Sequence, residues 1–225
     1  MTLSNSQVTK LGDRLRDSNS SDDLTLLDEF RQTYSEVDER AYNIIQSALS
    51  PYDGRPWTST KRKRKTQQSI VDKLHRQENL RLPQMQDIVG CRIVIQGGAQ
   101  HAKDMNALLV DSFEQNQWQT DSKNRHADGY RAIHIIVKSD NMAAKKFYEI
   151  QLRTYAQDVW ANLVESLSDE KNTLKYGGSE QEKLLMGRLK RFGDRLDGLD
   201  QQAHQVSFSD YQRQIEEVIR DVLSH

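Results

Sequence analysis

Residues 87–94 read Asp87-Ile88-Val89-Gly90-Cys91-Arg92-Ile93-Val94. A compact run of apolar and β-branched residues bounded by glycines predicts a strand over residues 91–95. Asp87 comes just before that strand. A metal that handles polyphosphate needs hard oxygen ligands and keeps sites open for phosphate and water, so Asp87 is a candidate metal ligand.

A second carboxylate interrupts another apolar run. Residues 147–152 predict a further strand, and the period-two alternation of strands places Glu149 on the face opposite Tyr148 and Ile150. The pattern allows two interpretations. Glu149 either meets Asp87 around one divalent ion, or it lies on the solvated side of an edge strand.

The segments around these strands predict an α+β domain with a small mixed β-sheet flanked by helices. Apolar residues at helical spacing predict helices in three segments, which are residues 22–49, 101–113 and 155–167. Strand-forming residues at 130–137 predict a third strand. The expected organisation is an N-terminal helical segment, a core and C-terminal helices, at residues 1–56, 57–170 and 171–225.

A seam of apolar residues follows in the C-terminal part. Its members alternate at spacings of four and three, which is typical of a helix that packs on another helix: Leu185, Leu189, Phe192, Leu196 and Leu199. Gly187 and Gly193 interrupt this predicted helix and weaken it.

Basic residues cluster between the first strand-like segment and the helix that Thr66 is predicted to cap. Four residues of this strand-to-helix unit could converge on a triphosphate, namely Lys63, Lys65, Lys73 and Arg76, and Arg92 follows a glycine on the neighbouring strand. The run at residues 61–65 is equally open to interpretation as a solvated face or as a nucleic-acid patch.

An aromatic ring lies at a glycine turn in Gly129-Tyr130-Arg131-Ala132-Ile133-His134. Tyr130 could stack on a nucleotide base, or it could simply pack at the start of its strand. His134 is likewise either a site residue or a partly buried structural histidine.

Composition excludes several classes of protein. The 225 residues carry a net charge of −1, which does not indicate a general nucleic-acid or membrane-surface binder. Cys91 is the single cysteine, so an intramolecular disulfide and a cysteine-based zinc cage are excluded, in keeping with a cytoplasmic location. No apolar run is long enough to span a membrane. The loops typical of P-loop kinases and dinucleotide enzymes are absent from the sequence, as is the zinc-protease motif.

Five ordered blocks resemble the synthetase domain of the RelA/SpoT family, with a spacing similar to that of the single-domain small alarmone synthetases and their toxin relatives. The blocks are Lys63-x-Lys65, Ser69-Ile70-x-x-Lys73-Leu74-x-Arg76, residues 87–94, residues 129–134, and Glu149-Ile150-Gln151-Leu152-Arg153-Thr154 with Trp160-Ala161. The resemblance implies a nucleotidyltransferase-like sheet. It also implies transfer of the β,γ-pyrophosphate of ATP to the ribose 3′-hydroxyl of GDP or GTP, giving (p)ppGpp and AMP.

The resemblance also implies roles for individual residues. Asp87 and Glu149 match the catalytic pair that binds Mg²⁺. Residues that match the ATP site are Lys63, Lys65, Lys73, Arg76 and Arg92, of which Arg92 is one of two residues that sandwich the adenine. Tyr130 matches the residue that stacks on the acceptor base, and three further positions match residues near the acceptor, namely His134, Gln151 and Arg153.

Three departures from the family pattern concern the two substrates. Lys63 replaces an adenine-stacking arginine, for which Arg62 or Arg64 could substitute if the strand register differs. Val164-Glu165 replaces a Glu-His pair, and Asp128 replaces an asparagine.

Two alternative functions therefore remain open. One is a toxin that pyrophosphorylates the 3′-terminal adenosine of tRNA, or that makes adenosine alarmones. A tRNA acceptor would need a basic track, for which the candidates are Lys171, Lys175, Lys183, Arg188, Lys190 and Arg191. The other is an inactive RNA-binding or regulatory module. The apolar seam could pack on the N-terminal helix, on a second copy of the chain or on an antitoxin protein.

Overall fold

The computed structural model describes residues 3–18, 20–52, 56–127, 129–139, 146–170 and 180–223. Its helices and strands follow in this order: α1 (Asn5–Asp17), α2 (Ser21–Gln32), α3 (Ser35–Leu49), β1 (Trp57–Lys61), α4 (Gln67–Arg76), β2 (Gly90–Ile95), α5 (Ala99–Gln115), β3 (Trp118–Ala127), β4 (Tyr130–Ser139), β5 (Phe147–Thr154), α6 (Tyr155–Glu170), α7 (Glu180–Gln202) and α8 (Phe208–Leu223). Short 3₁₀ turns lie at Leu82–Gln84 and Ala203–Gln205.

The strands form one five-stranded sheet in the order β1-β2-β5-β4-β3. β2 and β5 run parallel, and the other neighbouring pairs are antiparallel. The expected α+β class, with a mixed sheet flanked by helices, is confirmed. β5 is the central strand, so the interpretation of Glu149 as a solvated residue of an edge strand is wrong, and Glu149 is only 7% exposed.

The two faces of the sheet differ in chemistry. On one face, alternate residues of β2 and β5 are apolar and fully buried against helices α1–α5, as in Ile93 and Ile150. The same alternation places polar residues of these strands on the opposite face. The apolar face therefore anchors the sheet, and the polar face is where a site can form.

Two elements were not predicted. α1 begins at a Ser4 capping box and buries Val8, Leu11 and Leu15 in the main core. β3 is exposed over most of its length and lacks the apolar alternation that reveals a strand, but it pairs with β4 at all ten of its residues. The predicted helical segment at residues 22–49 divides into α2 and α3, and Ser20 caps α2.

Helices α6, α7 and α8 enclose a second apolar cluster. Leu189, Phe192 and Leu196 of the seam are buried there with Trp160 and Tyr211. Of the alternatives for the seam, the structure shows packing within the chain, on α6 and α8 instead of the N-terminal helix. Among the described residues, none of the helices combines the length and apolar character that crossing a membrane requires.

Candidate active site

The central strand β5 carries three buried polar residues on the polar face of the sheet. Glu149, Gln151 and Arg153 alternate along it and are 7%, 9% and 2% exposed. Gln151 pairs in register with Arg92 of β2 on one side and with His134 of β4 on the other. Sheet pairing therefore gathers side chains from three separate parts of the sequence on one surface.

Asp87 lies between two lysines. Its carboxylate oxygens accept hydrogen bonds from Lys65 Nζ at 3.1 Å and Lys73 Nζ at 2.8 Å. The backbone N–H of Lys65 donates to Ile88 O at 2.8 Å, which holds the two segments together. Burial would raise the pKa of Asp87, but the charges of Lys73 and Lys65 outweigh it and hold the pKa below its usual range.

Helix α4 brings Lys73 to this carboxylate. Thr66 caps the helix as predicted, accepting a hydrogen bond from the Ser69 N–H at 3.2 Å. Ile70 and Leu74 are buried against the main core, which fixes the face on which Lys73 projects. Arg76 lies three residues beyond Lys73 at the end of α4, and its side chain is exposed.

Glu149 is held by three partners. It contacts His134 Nδ1 at 3.0 Å, accepts a hydrogen bond from Gln151 Nε2 at 3.1 Å and forms an ion pair with Arg62. Burial would raise the pKa of Glu149, but the hydrogen bond and charge of His134, together with the charge of Arg62, lower it to about 2. Glu149 is therefore ionised at neutral pH.

Asp87 and Glu149 both lie near the beginning of β2. Glu149 pairs in register with Gly90, and its N–H donates to Val89 O at 3.2 Å. A Cβ atom at position 90 would lie 2.1 Å from Glu149 O, so the approach requires glycine. The charge of Glu149 acts on Asp87, opposing the effect of the lysines on its pKa. The carboxylates are thus close enough to interact.

An open cleft of about 430 Å³ is lined by Arg62, the ion-pair partner of Glu149. Lys63 and Arg92 both line it, as the predicted adenine sandwich requires. Arg92 reaches across the cleft to helix α6, where its guanidinium lies 3.3 Å from Glu165 Oε1 and 3.4 Å from Asn162 Oδ1. Arg64 instead bonds Gln32 and Ser35 of the N-terminal helices, so it does not substitute for the missing arginine in this arrangement.

The predicted acceptor residues form one contiguous group. Tyr130 Oη lies 2.9 Å from His134 Nε2, which connects the ring to Glu149 through the imidazole. The Arg153 guanidinium lies over the Tyr130 ring at 5.5 Å from its centroid and donates to Asp158 at 3.1 Å. One side of the Tyr130 ring is therefore already covered.

Sequence reasoning considered Arg62 only as a substitute for the adenine-stacking arginine and did not predict its ion pair with Glu149. Arg62 follows β1 and its N–H donates to Gly90 O at 2.9 Å, which extends the pairing of β1 with β2 by one residue. Because successive side chains of a strand point to opposite faces of the sheet, the Arg62 side chain lies on the polar face. There it forms an ion pair with Glu149. This alternation is the sequence signal that could have placed Arg62 on the polar face, but it is hard to recognise within a run of basic residues.

Comparison with known proteins identifies the family. A family model described as "Region found in RelA / SpoT proteins" matches residues 62–172. Residues 62–172 belong to the RelA/SpoT family. The matched region contains both carboxylates, the cleft residues Lys63 and Arg92, and Tyr130.

Two curated proteins are similar to this chain. The uncharacterised Mycobacterium bovis protein Mb1401 is 29% identical over 142 residues, covering 61% of this chain and 50% of that protein. GTP pyrophosphokinase YjbM of Bacillus subtilis is 30% identical over 128 residues, covering 54% of this chain and 57% of that protein. The chain thus spans about half the length of these curated relatives.

The fold matches a solved structure. The small alarmone synthetase 1 of Bacillus subtilis, crystallised with its product pppGpp, superposes with a TM-score of 0.59 at 23% identity. The match covers 78% of this chain and 91% of that one. At this identity the likeness establishes the fold.

The RelA/SpoT region offers a limited set of metal ligands. Within the part of the chain that the structure describes, no group of three or more His, Cys, Asp or Glu side chains is arranged to hold a metal ion. Mg²⁺, however, is commonly bound by one or two carboxylates together with substrate phosphates and water. Asp87 and Glu149 fit a metal ion that a polyphosphate helps to bind.

The departures from the family pattern have different structural outcomes. Val164 is buried in the second apolar cluster, and Glu165 pairs with Arg92, which lines the cleft. Asp128 lies outside the described residues. Of the predicted basic track, Lys171 and Lys175 also lie outside them, and the remaining members are exposed on α7, namely Lys183, Arg188, Lys190 and Arg191.

Proposed function

We propose that this chain is a Mg²⁺-dependent pyrophosphokinase that transfers the β,γ-pyrophosphate of ATP to the ribose 3′-hydroxyl of GDP or GTP. The observation that carries the proposal is the position of Asp87 between Lys65 and Lys73, within reach of the charge of Glu149. The names of the relatives, a GTP pyrophosphokinase and a small alarmone synthetase bound to pppGpp, support this reaction.

In the proposed reaction, the acceptor 3′-oxygen attacks the β-phosphorus of ATP. The bond between that phosphorus and the oxygen bridging to the α-phosphorus breaks, and AMP leaves with the bridging oxygen. Negative charge accumulates on the phosphoryl oxygens, so fixed cations accelerate the reaction by positioning and neutralising them. Lys65, Lys73 and Arg76 would serve this role, and Lys63 and Arg92 would hold the adenine.

The bound metal ion would supply further charge neutralisation of the triphosphate. Asp87 and Glu149 would hold it, exchanging their present contacts with Lys65, Lys73 and Arg62. Those cations would then turn to the phosphates. The charge count of the site favours this exchange because the incoming polyphosphate brings more negative charge than the two carboxylates carry.

Glu149 suits the role of a ligand better than that of a base while Arg62 holds it. A carboxylate with a pKa of about 2 is a weak proton acceptor at neutral pH. A carboxylate that binds magnesium, by contrast, has to be deprotonated, and a low pKa keeps it so at neutral pH. The proton of the 3′-hydroxyl would pass to the Glu149–His134 pair only after Arg62 has moved.

The test is transfer of label from [γ-³²P]ATP in the presence of Mg²⁺. Separate reactions contain GDP, GTP, no added acceptor, or bulk tRNA. Label should appear on the guanine nucleotide, with AMP formed in equal amount, and it should disappear in Asp87→Asn and in Glu149→Gln. Asp104→Asn is the matched control, because Asp104 is exposed on α5 and bonds Gln100 outside the site.

The acceptor arms separate the alternatives. Label on tRNA alone, or on an adenine nucleotide alone, would keep the pyrophosphate chemistry and replace the acceptor. A folded protein that labels none of the acceptors would refute the proposed function. Circular dichroism establishes that each variant is folded.

A further inference from the structure

Helix α7 contacts the Tyr130 turn although α7 lies outside the matched RelA/SpoT region. The indole Nε1 of Trp160, whose ring packs beside Tyr130, donates to Leu189 O of α7 at 2.9 Å. Arg131, which follows Tyr130, forms ion pairs with two carboxylates of α7, Asp194 at 2.9 Å and Asp197 at 3.3 Å. The helix is therefore tied to Trp160, beside the Tyr130 ring, and to Arg131, the residue that follows Tyr130.

A glycine of α7 makes the closest approach. A Cβ atom added to Gly193 would lie 2.8 Å from Gly129 O, 2.9 Å from Gly129 Cα and 3.0 Å from Trp160 Nε1. These distances are shorter than packed carbon atoms tolerate, and two of the atoms belong to backbone that cannot turn aside. Gly193 thus allows the helix to touch the turn directly.

The turn itself has little freedom to adapt. Gly129 adopts φ of +89°, which favours glycine, and a Cβ there would lie 2.9 Å from the Trp160 ring. Gly129, Gly193 and Trp160 are therefore packed against one another. Any displacement of Gly129 passes to Tyr130, the next residue in the chain.

Other glycines of the same helix show that this packing is specific. Gly187 and Gly198 also lie on α7, but a Cβ added to either has nothing within 4 Å. Gly193 is therefore held to glycine by its contact with the turn, whereas the other two are not. The sequence expectation that glycine only weakens this helix does not account for Gly193.

We propose that α7 is a positioning element for the acceptor side of the site. Gly193, Asp194 and Asp197 hold the Gly129 turn so that the Tyr130 ring is presented to the acceptor base. This inference rests on the proposed function. It assigns α7 to acceptor binding and leaves ATP binding to the cleft between Lys63 and Arg92.

The test compares Gly193→Ala with Gly198→Ala in the full chain. A methyl group at position 193 should displace the Gly129 turn and with it Tyr130. KM for the acceptor should then rise roughly tenfold or more, with KM for ATP unchanged. Gly198→Ala adds the same methyl group to the same helix in open space, so both KM values should remain at the wild-type level. A helix with a purely structural role would lower activity without this difference between the two substrates.

A second variant keeps the proposal testable if Gly193→Ala does not fold. Asp194→Asn combined with Asp197→Asn removes both ion pairs of Arg131 and retains side-chain size. This double variant should also raise the acceptor KM selectively. The proposal is overturned if folded variants leave the acceptor KM unchanged, if both KM values rise together, or if Gly198→Ala behaves like Gly193→Ala.

Failure of this inference is distinguishable from failure of the proposed function. If the wild type transfers no label, the reaction itself has been assigned wrongly. If the wild type transfers label and the α7 variants keep its acceptor KM, only the role of α7 is refuted. The acceptor used for the comparison is the one that the wild type labels.

Discussion

Asp200 provides a quantitative test of how the C-terminal helices are held. It is 1% exposed at the end of α7 and accepts hydrogen bonds from Thr154 Oγ1 at 2.9 Å, from Gln157 Nε2 at 3.1 Å and from the Tyr211 hydroxyl. These donors belong to β5, α6 and α8. Burial raises the pKa of Asp200 from 3.8 to about 6, although the hydrogen bonds oppose this effect.

The raised pKa makes the stability of the protein depend on pH with a defined sign. Between pH 3.8 and about 6, the folded protein retains the Asp200 proton that the unfolded chain has lost. The contribution of Asp200 to the free energy of unfolding therefore falls as pH rises through this window and is constant above it. At about 1.4 kcal/mol for each pH unit between the two pKa values, the loss amounts to ~3 kcal/mol.

The perturbation is Asp200→Asn, which cannot ionise. The free energy of unfolding of this variant, minus that of the wild type, should rise by ~3 kcal/mol between pH 4 and pH 7. The loss of one hydrogen bond shifts the difference at every pH but leaves its slope unchanged.

Urea unfolding followed by circular dichroism at intervals from pH 4 to pH 7.5 measures this difference. The exposed Asp104→Asn is the control and should show a difference that does not vary with pH. A flat difference for Asp200→Asn would refute the reasoning, because Asp200 would then ionise alike in the folded and unfolded states.

Three further predictions concern the site. Lys63→Arg should lower KM for ATP several-fold, because a guanidinium can stack on adenine opposite Arg92 and an ammonium cannot; an unchanged KM would place Lys63 away from the base. Because the folded pKa of Glu149 is depressed from 4.5 to about 2, its stabilising effect is present above pH 4.5 and is lost as pH falls. Urea unfolding should therefore show the wild type losing its advantage over Glu149→Gln between these values, and an advantage that persists at pH 2 would contradict this. Tyr130→Phe should retain most acceptor affinity, whereas Tyr130→Ala should lose roughly 1 to 3 kcal/mol of stacking, measured as acceptor KM; equal losses would mean that the hydroxyl contact with His134 matters more than the ring.

Much of the fold was predictable because its signals are local. Compact apolar runs located β2 and β5, and Thr66 marked the start of α4. β3 escaped because its residues are exposed and polar, and it is a strand only through its pairing with β4. A strand whose side chains are mostly exposed has no apolar alternation, so the sequence gives little indication of it.

The candidate site divides in the same way. Motif spacing selected Asp87, Glu149, Lys65 and Lys73, and the structure brings these four together. Motif spacing offered Arg62 only as a substitute for an adenine-stacking arginine, because Arg62 becomes a partner of Glu149 only when β1 pairs with β2.

The sequence by itself determined which residues alternate, where helices begin and which side chains carry charge, since these depend on neighbours within a few positions. Only the tertiary structure decided that Glu149 lies on a central strand beside Asp87, and that Gly193 of α7 touches Gly129. The physical reason is that sheet order and helix packing depend on burial of apolar surface between segments far apart in the chain. Local patterns specify which face is buried but not which segment covers it.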